Sequence, residues 1–475
     1  MKSSRNNIAH IFPHAENSAN NAFNYNGNNG NLNANDRNND LSVRPLLELE
    51  RCNDYWEALP IPSSEFYRIY RIAKQHKAKK PSHLFFEIDY PHKLRELCYE
   101  VNTCTYQPVM SVCFVITKPL TRQVIAADFR DRVVQTLLVQ RLLPYLETHE
   151  HPHSFSCRIG KGALAAAQTM YNMYFEVSEG YAKDMWVCTL DFKSFFMSLD
   201  MILWTERLKD FIKARYKGDD IMYTLYLADR IFYSCPTEHC IRKGGEWIHR
   251  SVPEGKRLDG NEPYIGLPIG NVSSQMMANF ITTDFLHYVE GLGFHHFVLY
   301  TDDITVFTTD KERLLASIPL MRAFAKEHCR LTLHPHKMHL QHFSKGFNAL
   351  GYRFKFDNMT PSKRNVHNFK RRVRMLLNME RRDIRECYTY KERAISHLNA
   401  YLGLLKHSRS FRLRSEALNS LMESKWGELL QANADCTAVS IRLEKTRKAY
   451  LVKQNKKNRR TTFKILKEYD NNGTD

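Results

Sequence analysis

Apolar residues along this chain keep two periods, and the switches between them outline its elements. Helical spacing is visible over residues 64–75 and 92–100. It is clearest in FRDRVVQTLLVQRLLPYLE (129–147), where Val133, Leu137, Leu138, Leu142 and Leu143 share one face. Residues 163–174, 203–233, 272–292 and 314–328 read as further helices. Short apolar runs at 109–120, 185–190 and 350–356 read as strands, and FVLYTDDITVF (297–307) reads as strand, tight turn, strand. Residues 244–264 are expected to form an exposed hairpin or loop, and the chain beyond them to return to these patterns before ending in helices. Residues 1–45 keep neither period. Fourteen of the first 40 residues are Asn, apolar content is low, and the segment is expected to stay disordered. There is no internal repeat. The pattern predicts an α+β protein behind an Asn-rich start.

Composition narrows the class. The chain has 475 residues, 43% of them hydrophobic and 25% charged, enough for several packed domains. No apolar run approaches the roughly 18 residues of a membrane span. The first residues hold no apolar core of a secretory signal. Eleven cysteines, an odd number without a repeating frame, argue against a disulfide scaffold and for a reducing cytoplasm. The formal charge is +18, which calls for a polyanionic partner. Residues 361–475 hold 27 Lys and Arg against 12 Asp and Glu, so +15 of that excess sits in the last quarter. In FKRRVRMLLNMERR, Phe369, Val373, Leu376 and Leu377 line one helical face, and Lys370, Arg371, Arg374 and Arg381 the other. Such a face is often merely solvated; the size of the asymmetry favours contact with a nucleic-acid backbone.

Three carboxylates stand out because strand text surrounds them. Asp191 ends the run MWVCTL, and Asp302 and Asp303 occupy the turn of FVLYTDDITVF. A buried carboxylate is costly unless it meets a cation or hydrogen bonds. Two adjacent Asp at a hairpin turn, with a third from another strand, make a hard-oxygen set suited to Mg²⁺. Two ions about 3.5–4 Å apart in such a set can activate an attacking oxygen and steady a leaving pyrophosphate.

Several motifs in order now carry a resemblance. YTDD (300–303) resembles the Tyr-x-Asp-Asp box of reverse transcriptases, and CTLDFKSFFMSLD resembles their first catalytic box, with Asp191 as metal ligand. GLPIGNVSSQMMANF (266–280) is similar to the Gly-x-Pro-x-Gly box. LTLHPHKMHL with Lys337 resembles the motif whose lysine lies near the triphosphate, and LGYRF resembles the primer-grip hairpin. TKPLTRQVIAADFRDRVVQ and HSFSCRIGKGALAAA resemble the fingers and the segment joining them to the palm. The match in order and spacing runs over residues 85–430. It implies a right-hand polymerase: fingers and their junction over 46–180, a palm with an antiparallel sheet over 181–360, a basic helical thumb over 361–435 and a basic tail over 436–475. It implies an RNA-directed DNA polymerase using two Mg²⁺ ions, with Mn²⁺ as a substitute, and template RNA, primer or cDNA, and dNTPs as partners. Asp191, Asp302 and Asp303 would be catalytic and metal-binding. Lys118 and Arg122 would contact the triphosphate, Phe196 would be the steric gate against a 2′-hydroxyl, and Ile269, Gly270, Gln275 and Lys337 would border the nucleotide. Lys337 would act as a general acid for pyrophosphate or as plain charge. Arg158, Lys161, Gly351, Tyr352, Lys370, Arg371 and Arg374 would meet nucleic acid.

Within that family the box reads IGNVSSQ, with Ile269 where Gln is usual and Gln275 where Pro is usual. This form resembles the reverse transcriptases of diversity-generating retroelements, which copy a template-repeat RNA with errors opposite adenine. Replacing a hydrogen-bonding Gln by Ile loosens discrimination at the insertion site. Asn codons are adenine-rich, so residues 15–45 resemble an in-frame reading of such a template repeat. The resemblance implies a small basic accessory protein as partner. Two other readings stay open: an antiphage-defence reverse transcriptase sharing the same boxes, and a catalytically idle RNA-binding protein. Among weaker signals, Cys235, His239, Cys240 and His249 are poorly spaced for zinc, HEHPH (149–153) reads as a surface loop, and Asp200 reads as a helix cap.

Overall fold

The computed structural model describes residues 53–75, 77, 80–117, 120–379 and 388–442. A first unit ends at Ala58 and contributes the short helix α1 (Asn53–Glu57); the second begins at Leu59. In the second unit, helices α2 (Ser63–Ala73), α3 (Pro81–Glu87) and α4 (Tyr90–Asn102) precede strands β1 (Ser111–Ile116) and β2 (Arg122–Ala126). The long α5 (Phe129–His149) follows. Phe129 at its start meets Tyr70 and Phe86, so an aromatic cluster joins α2 and α3 to it.

Helix α6 (Ala163–Val177) and strand β3 (Trp186–Asp191) lead to α7 (Met201–Arg215) and α8 (Ile221–Phe232). The single helix expected over 203–233 is therefore two. The break lies at 216–220, where Tyr216 turns to extended backbone and Arg141 from α5 binds both Glu65 and Asp220. Of the hairpin or loop expected at 244–264, the structure has a loop with one short helix. Strand β4 (Cys240–Arg242) pairs in parallel with β1, and the chain continues through α9 (Glu246–Arg250) and one 3₁₀ turn. Helix α10 (Val272–Gly291) is buried on most of its faces, including Met277, Ile281, Phe285 and Leu286. Its buried Thr282 and Thr283 are tolerated because their hydroxyls donate to carbonyls of the same helix.

Strands β5 (Phe297–Tyr300) and β6 (Asp303–Thr308), helix α11 (Lys311–Glu327) and β7 (His339–His342) complete an antiparallel sheet of order β5-β6-β3-β7. Its core includes Val187, Val298 and Phe307 against Ala166, Met170 and Tyr174 of α6. Strands β8 (Phe347–Ala349), β9 (Tyr352–Lys355) and β10 (Asn358–Pro361) form a second antiparallel sheet on the same core. Helices α12 (Lys363–Leu377), α13 (Tyr388–Leu405) and α14 (Phe411–Glu423) follow, then a hairpin of β11 (Leu430–Ala432) and β12 (Val439–Ile441). That hairpin and β10 correct the all-helical expectation for the C-terminal part. Each is a run of only three or four residues, too short for its period to show. Phe369, Val373, Leu376, Leu398, Leu402, Leu418, Leu421 and Trp426 form the core of this part, and Trp426 Nε1 donates to the Leu376 carbonyl at 2.7 Å.

No disulfide joins the described cysteines, and among the described residues no helix is long and apolar enough to cross a membrane. Leu398 is fully buried where α13 meets its neighbours. Leu398→Ala is expected to destabilise the protein by about 2–5 kcal/mol, read by urea unfolding, because the site loses burial and gains a cavity.

Candidate active site

The register of β3 against β6 places Asp191 directly opposite Asp303. Asp303 also faces Tyr300 across the β5–β6 hairpin, so Thr301 and Asp302 form the tip of a two-residue turn. Thr301 adopts φ +62°, the left-handed conformation that such a turn demands. The turn is braced from behind. Ser156 and Thr301 share a hydroxyl hydrogen bond of 2.9 Å, and Asn279 Nδ2 of α10 donates to the Ser156 carbonyl at 2.9 Å. The chain after Asp191 is held too: Phe192 N–H donates to the Asp302 carbonyl, and His334 N–H to the Asp191 carbonyl. Ser156 and Asn279 were not among the expected site residues. Isolated Ser and Asn in helix and loop text carry no signal of this bracing.

The sheet thus gathers three negative charges at one end. Burial, then the charges of Asp303 and Asp191, push the Asp302 carboxyl up to about 6. Asp303, though more open, is raised as well, by burial and then by Asp191. Two cations oppose this. Lys337 Nζ lies 2.6 Å from Asp191 Oδ2, which is 16% exposed as a side chain, and Arg122 acts on Asp302 from β2. Lys337 is held above its ordinary range, chiefly by its hydrogen bond to Asp191. In this structure its ammonium sits against the Asp191 carboxylate as a counter-charge. The chemistry of the donor set, three carboxylates with an excess of negative charge, fits hard divalent cations. Asp191 and Asp302, with Asp303 beside them, are the residues that would hold them.

The neighbouring expected residues meet at a small apolar cluster. Phe196 and Ile269, both half-buried, pack against Cys113, Ile125, Met197 and Leu258. Ile125 N–H donates to the Ile269 carbonyl and Leu267 N–H to the Phe196 carbonyl, which ties the three segments together. Gly270 adopts φ +120°, and a Cβ there would lie 3.0 Å from Val124. Only glycine combines that conformation with that approach. Gln275 is exposed in the first turns of α10. Lys118 lies outside the described residues, as do residues 1–45, Arg381 and the basic tail beyond Arg442.

Other expected contacts are placed differently. Arg158, with a side chain only 5% exposed, binds Glu147 and Glu150 and donates to the His151 and Ser154 carbonyls. Its donors are spent inside the chain, which corrects its expected role at phosphate. Lys161 donates to the Pro152 carbonyl at 2.6 Å and lies over the Phe155 ring. Tyr352 is buried and donates to the Leu404 carbonyl, while Gly351, at φ +88°, accepts from Ser362 N–H and Asn365 Nδ2. These two secure the second sheet to the helices that follow, so the Tyr352 side chain is no nucleic-acid contact. Lys370, Arg371 and Arg374 do face outward, opposite buried Phe369, Val373 and Leu376. Asp200 caps α7 by accepting from Leu203 N–H.

HEHPH is not a surface loop. Glu150 and His151 are buried, and burial pushes His151 down to about 4. Among the described residues, His151, His287 and Glu290 are the one group whose ligand atoms lie within 4.8 Å of one another. However, His151 Nδ1 accepts from His153 N–H at 3.1 Å, which leaves the neutral ring's proton on Nε2, facing Glu290 at 3.4 Å. That arrangement is a hydrogen bond, with no lone pair left for a metal. Cys235, His239, Cys240 and His249 form no such group; His249 Nε2 instead lies 3.1 Å from the Lys243 carbonyl.

Residues 117–354, half the chain, match the sequence model of the family described as reverse transcriptase (RNA-dependent DNA polymerase). The chain belongs to the reverse transcriptase family. All three carboxylates, Arg122, Phe196, the Ile269–Gly270 turn and Lys337 fall within the matched residues. No curated protein matches this reverse transcriptase. Among solved structures, telomerase from Candida albicans with a fragment of telomeric RNA is similar at 9% identity and a TM-score of 0.41, over 66% of this chain and 55% of that one. Apo telomerase from Candida tropicalis is similar at 11% identity and a TM-score of 0.41, over 67% and 60%. The chain therefore spans little more than half the length of the telomerase structures.

The raised carboxyl of Asp302 sets a pH dependence. Its proton is held more tightly in the folded state, so its contribution to stability is full below the ordinary carboxylate value of 3.8 and is lost as pH rises through about 6. Without metal, Asp302→Asn is expected to raise stability at pH 8 by about 1–2 kcal/mol and to change little at pH 4. Thermal melting across that range checks it. Added Mg²⁺ should stabilise the parent above pH 6 more than the variant.

Proposed function

We propose that this chain is an RNA-directed DNA polymerase that adds dNTPs to a primer on an RNA template. We propose further that it copies a template-repeat RNA into cDNA with errors concentrated opposite adenine, as part of a diversity-generating retroelement. The observation that carries the polymerase reading is the facing pair Asp191 and Asp303 with Asp302 at the adjoining turn, inside the matched family region. Residues 46–180 would then act as fingers and their junction, 181–360 as palm, 361–435 as basic thumb and 436–475 as tail. Partners would be template RNA, primer or cDNA and dNTPs, with a small basic accessory protein, in the cytoplasm.

In the reaction the primer 3′-oxygen loses its proton and attacks the α-phosphorus of the dNTP. The bond to the β-phosphate oxygen breaks, and pyrophosphate leaves. Two Mg²⁺ ions, or Mn²⁺, would supply positive charge at the attacking and leaving oxygens. Arg122 offers a planar fork of donors to the triphosphate, and Lys337 a mobile charge that can pass from Asp191 to a phosphate. Phe196 closes the pocket against a 2′-hydroxyl. The strained turn at Gly270 brings backbone close to the incoming nucleotide.

The finer reading is supported by Ile269. Its half-buried side chain belongs to the apolar cluster that also seats Phe196. A Gln at that place would offer hydrogen bonds to the nucleotide, whereas Ile offers contact alone, so a mispair with the right outline is rejected less.

Primer extension with Mg²⁺, dNTPs and RNA from the gene's own upstream region, followed by cDNA sequencing, tests both levels. Asp302→Asn should lower synthesis about a thousand-fold or more while RNA binding stays within about twofold; unchanged synthesis would refute the ligand assignment. Ile269→Gln should cut errors opposite adenine several-fold. Faithful cDNA from the parent would keep the polymerase and favour the defence role. No product on any template would favour the idle RNA-binding reading.

A further inference from the structure

The segment from β4 to Leu258 lies between the catalytic boxes and carries one side chain unlike its kind elsewhere in the chain. Trp247, on α9, is 74% exposed. Of the other tryptophans, Trp56, Trp204 and Trp426 are fully buried and Trp186 is half-buried. Leaving an indole in water forgoes one of the largest burial gains a side chain offers. The ring is also seated. A Cβ on Gly245 would come within 2.8 Å of both Cδ1 and Nε1 of Trp247. Gly245 has φ −71°, which any residue adopts, so its backbone does not require glycine. The missing side chain leaves room for the ring: the Cδ1–Nε1 edge of the indole lies against Gly245.

The surroundings are basic. Arg242, Lys243 and Arg250 are exposed, and Lys256 and Arg257 half-buried. Two of these cations already meet carboxylates, Arg250 that of Glu246 and Arg242 that of Asp259 at 3.4 Å, so a strand's phosphates would have to take the place of those acids. The whole loop is fixed in place. Strand β4 pairs with β1, His249 and Val252 are buried, and Leu258 N–H donates to Gln123 Oε1 at 2.7 Å. Gly255 lies so close to Ser194 that a Cβ would be 2.4 Å from its Oγ. The patch is therefore anchored both to the strand that begins with Arg122 and to the segment that follows Asp191.

An exposed indole among cations is the chemistry that captures an unpaired base, which stacks on the ring while its phosphates meet the basic side chains around it. We propose that Trp247, with Arg242, Lys243 and Arg250, is a stacking site for single-stranded RNA, taking a template base outside the nucleotide pocket. The assignment rests on the polymerase reading for the identity of the strand. Loop residues between the catalytic boxes would then do more than connect them: they hold template that has not yet been copied.

Tryptophan fluorescence tests this, since Trp247 is the exposed emitter. Titration of the full chain with a single-stranded RNA of about 12 nucleotides should give saturable quenching. Trp247→Phe should lose most of the quenching and keep affinity within about threefold; Trp247→Ala should weaken binding about tenfold. Gly245→Ala should weaken it in the same direction by displacing the ring, with an unchanged melting temperature. Duplex RNA should bind parent and variants alike, and single-stranded DNA in parallel reports whether the 2′-hydroxyl contributes. Equal single-stranded RNA affinity for parent and Trp247→Ala would overturn the proposal. Addition of one nucleotide on a template ending at the copied base should be unaffected by Trp247→Ala. Its absence from the parent itself would instead count against the polymerase reading, which separates the two failures.

Discussion

Three carboxylates at one end of an antiparallel sheet repel one another, and much of the surrounding structure exists to hold them there. Strand pairing fixes Asp191 against Asp303, and a left-handed Thr301 turns Asp302 into the same space. None of this is favourable for the carboxylates alone, as the raised Asp302 shows. It is offset by backbone hydrogen bonds, by Ser156 and Asn279 behind the turn, and by Lys337 and Arg122 in front of it. A site assembled this way has a standing demand for positive charge. That demand is what makes it suited to metal ions and phosphates.

The parts proposed to border the nucleotide come from elements far apart in the chain. Phe196 follows β3, Ile269 and Gly270 precede α10, and Ile125 belongs to β2; they converge on one apolar cluster. The 254–258 stretch completes it, through Leu258 and through the hydrogen bond from Gln123. Fidelity and sugar selection, in the reading proposed here, both rest on this cluster, so a change in its packing would be felt by both.

Basic residues in this chain divide into two kinds that composition does not separate. Those on α12 stand outward over a buried apolar stripe and are available to a polyanion. Arg158 and Arg141 lie inside, bound to carboxylates of their own chain, and act as struts. A guanidinium can do either with the same donors, and only its neighbours decide which.

What was legible in the sequence was local. Helices of α5 and α10 showed in their apolar spacing, the hairpin in FVLYTDDITVF, the cap at Asp200, and the chemistry in carboxylates set among strand residues, because each signal lies within one short window. The exposed face of Lys370, Arg371 and Arg374 was legible for the same reason. The tertiary structure decided what depends on partners distant in sequence. It buried His151 and Glu150, which read as a surface loop: His151 packs against His287 of α10 and Phe297 of β5, and Glu150 pairs with Arg158. It spent the donors of Arg158 and the hydroxyl of Tyr352 on backbone and carboxylate partners, and broke one expected helix at an ion pair with Arg141. Burial and pairing are properties of contacts, and the residues that make those contacts lie from about two helical turns of sequence apart, as Arg158 and Glu150, to more than a hundred positions, as His151 and His287.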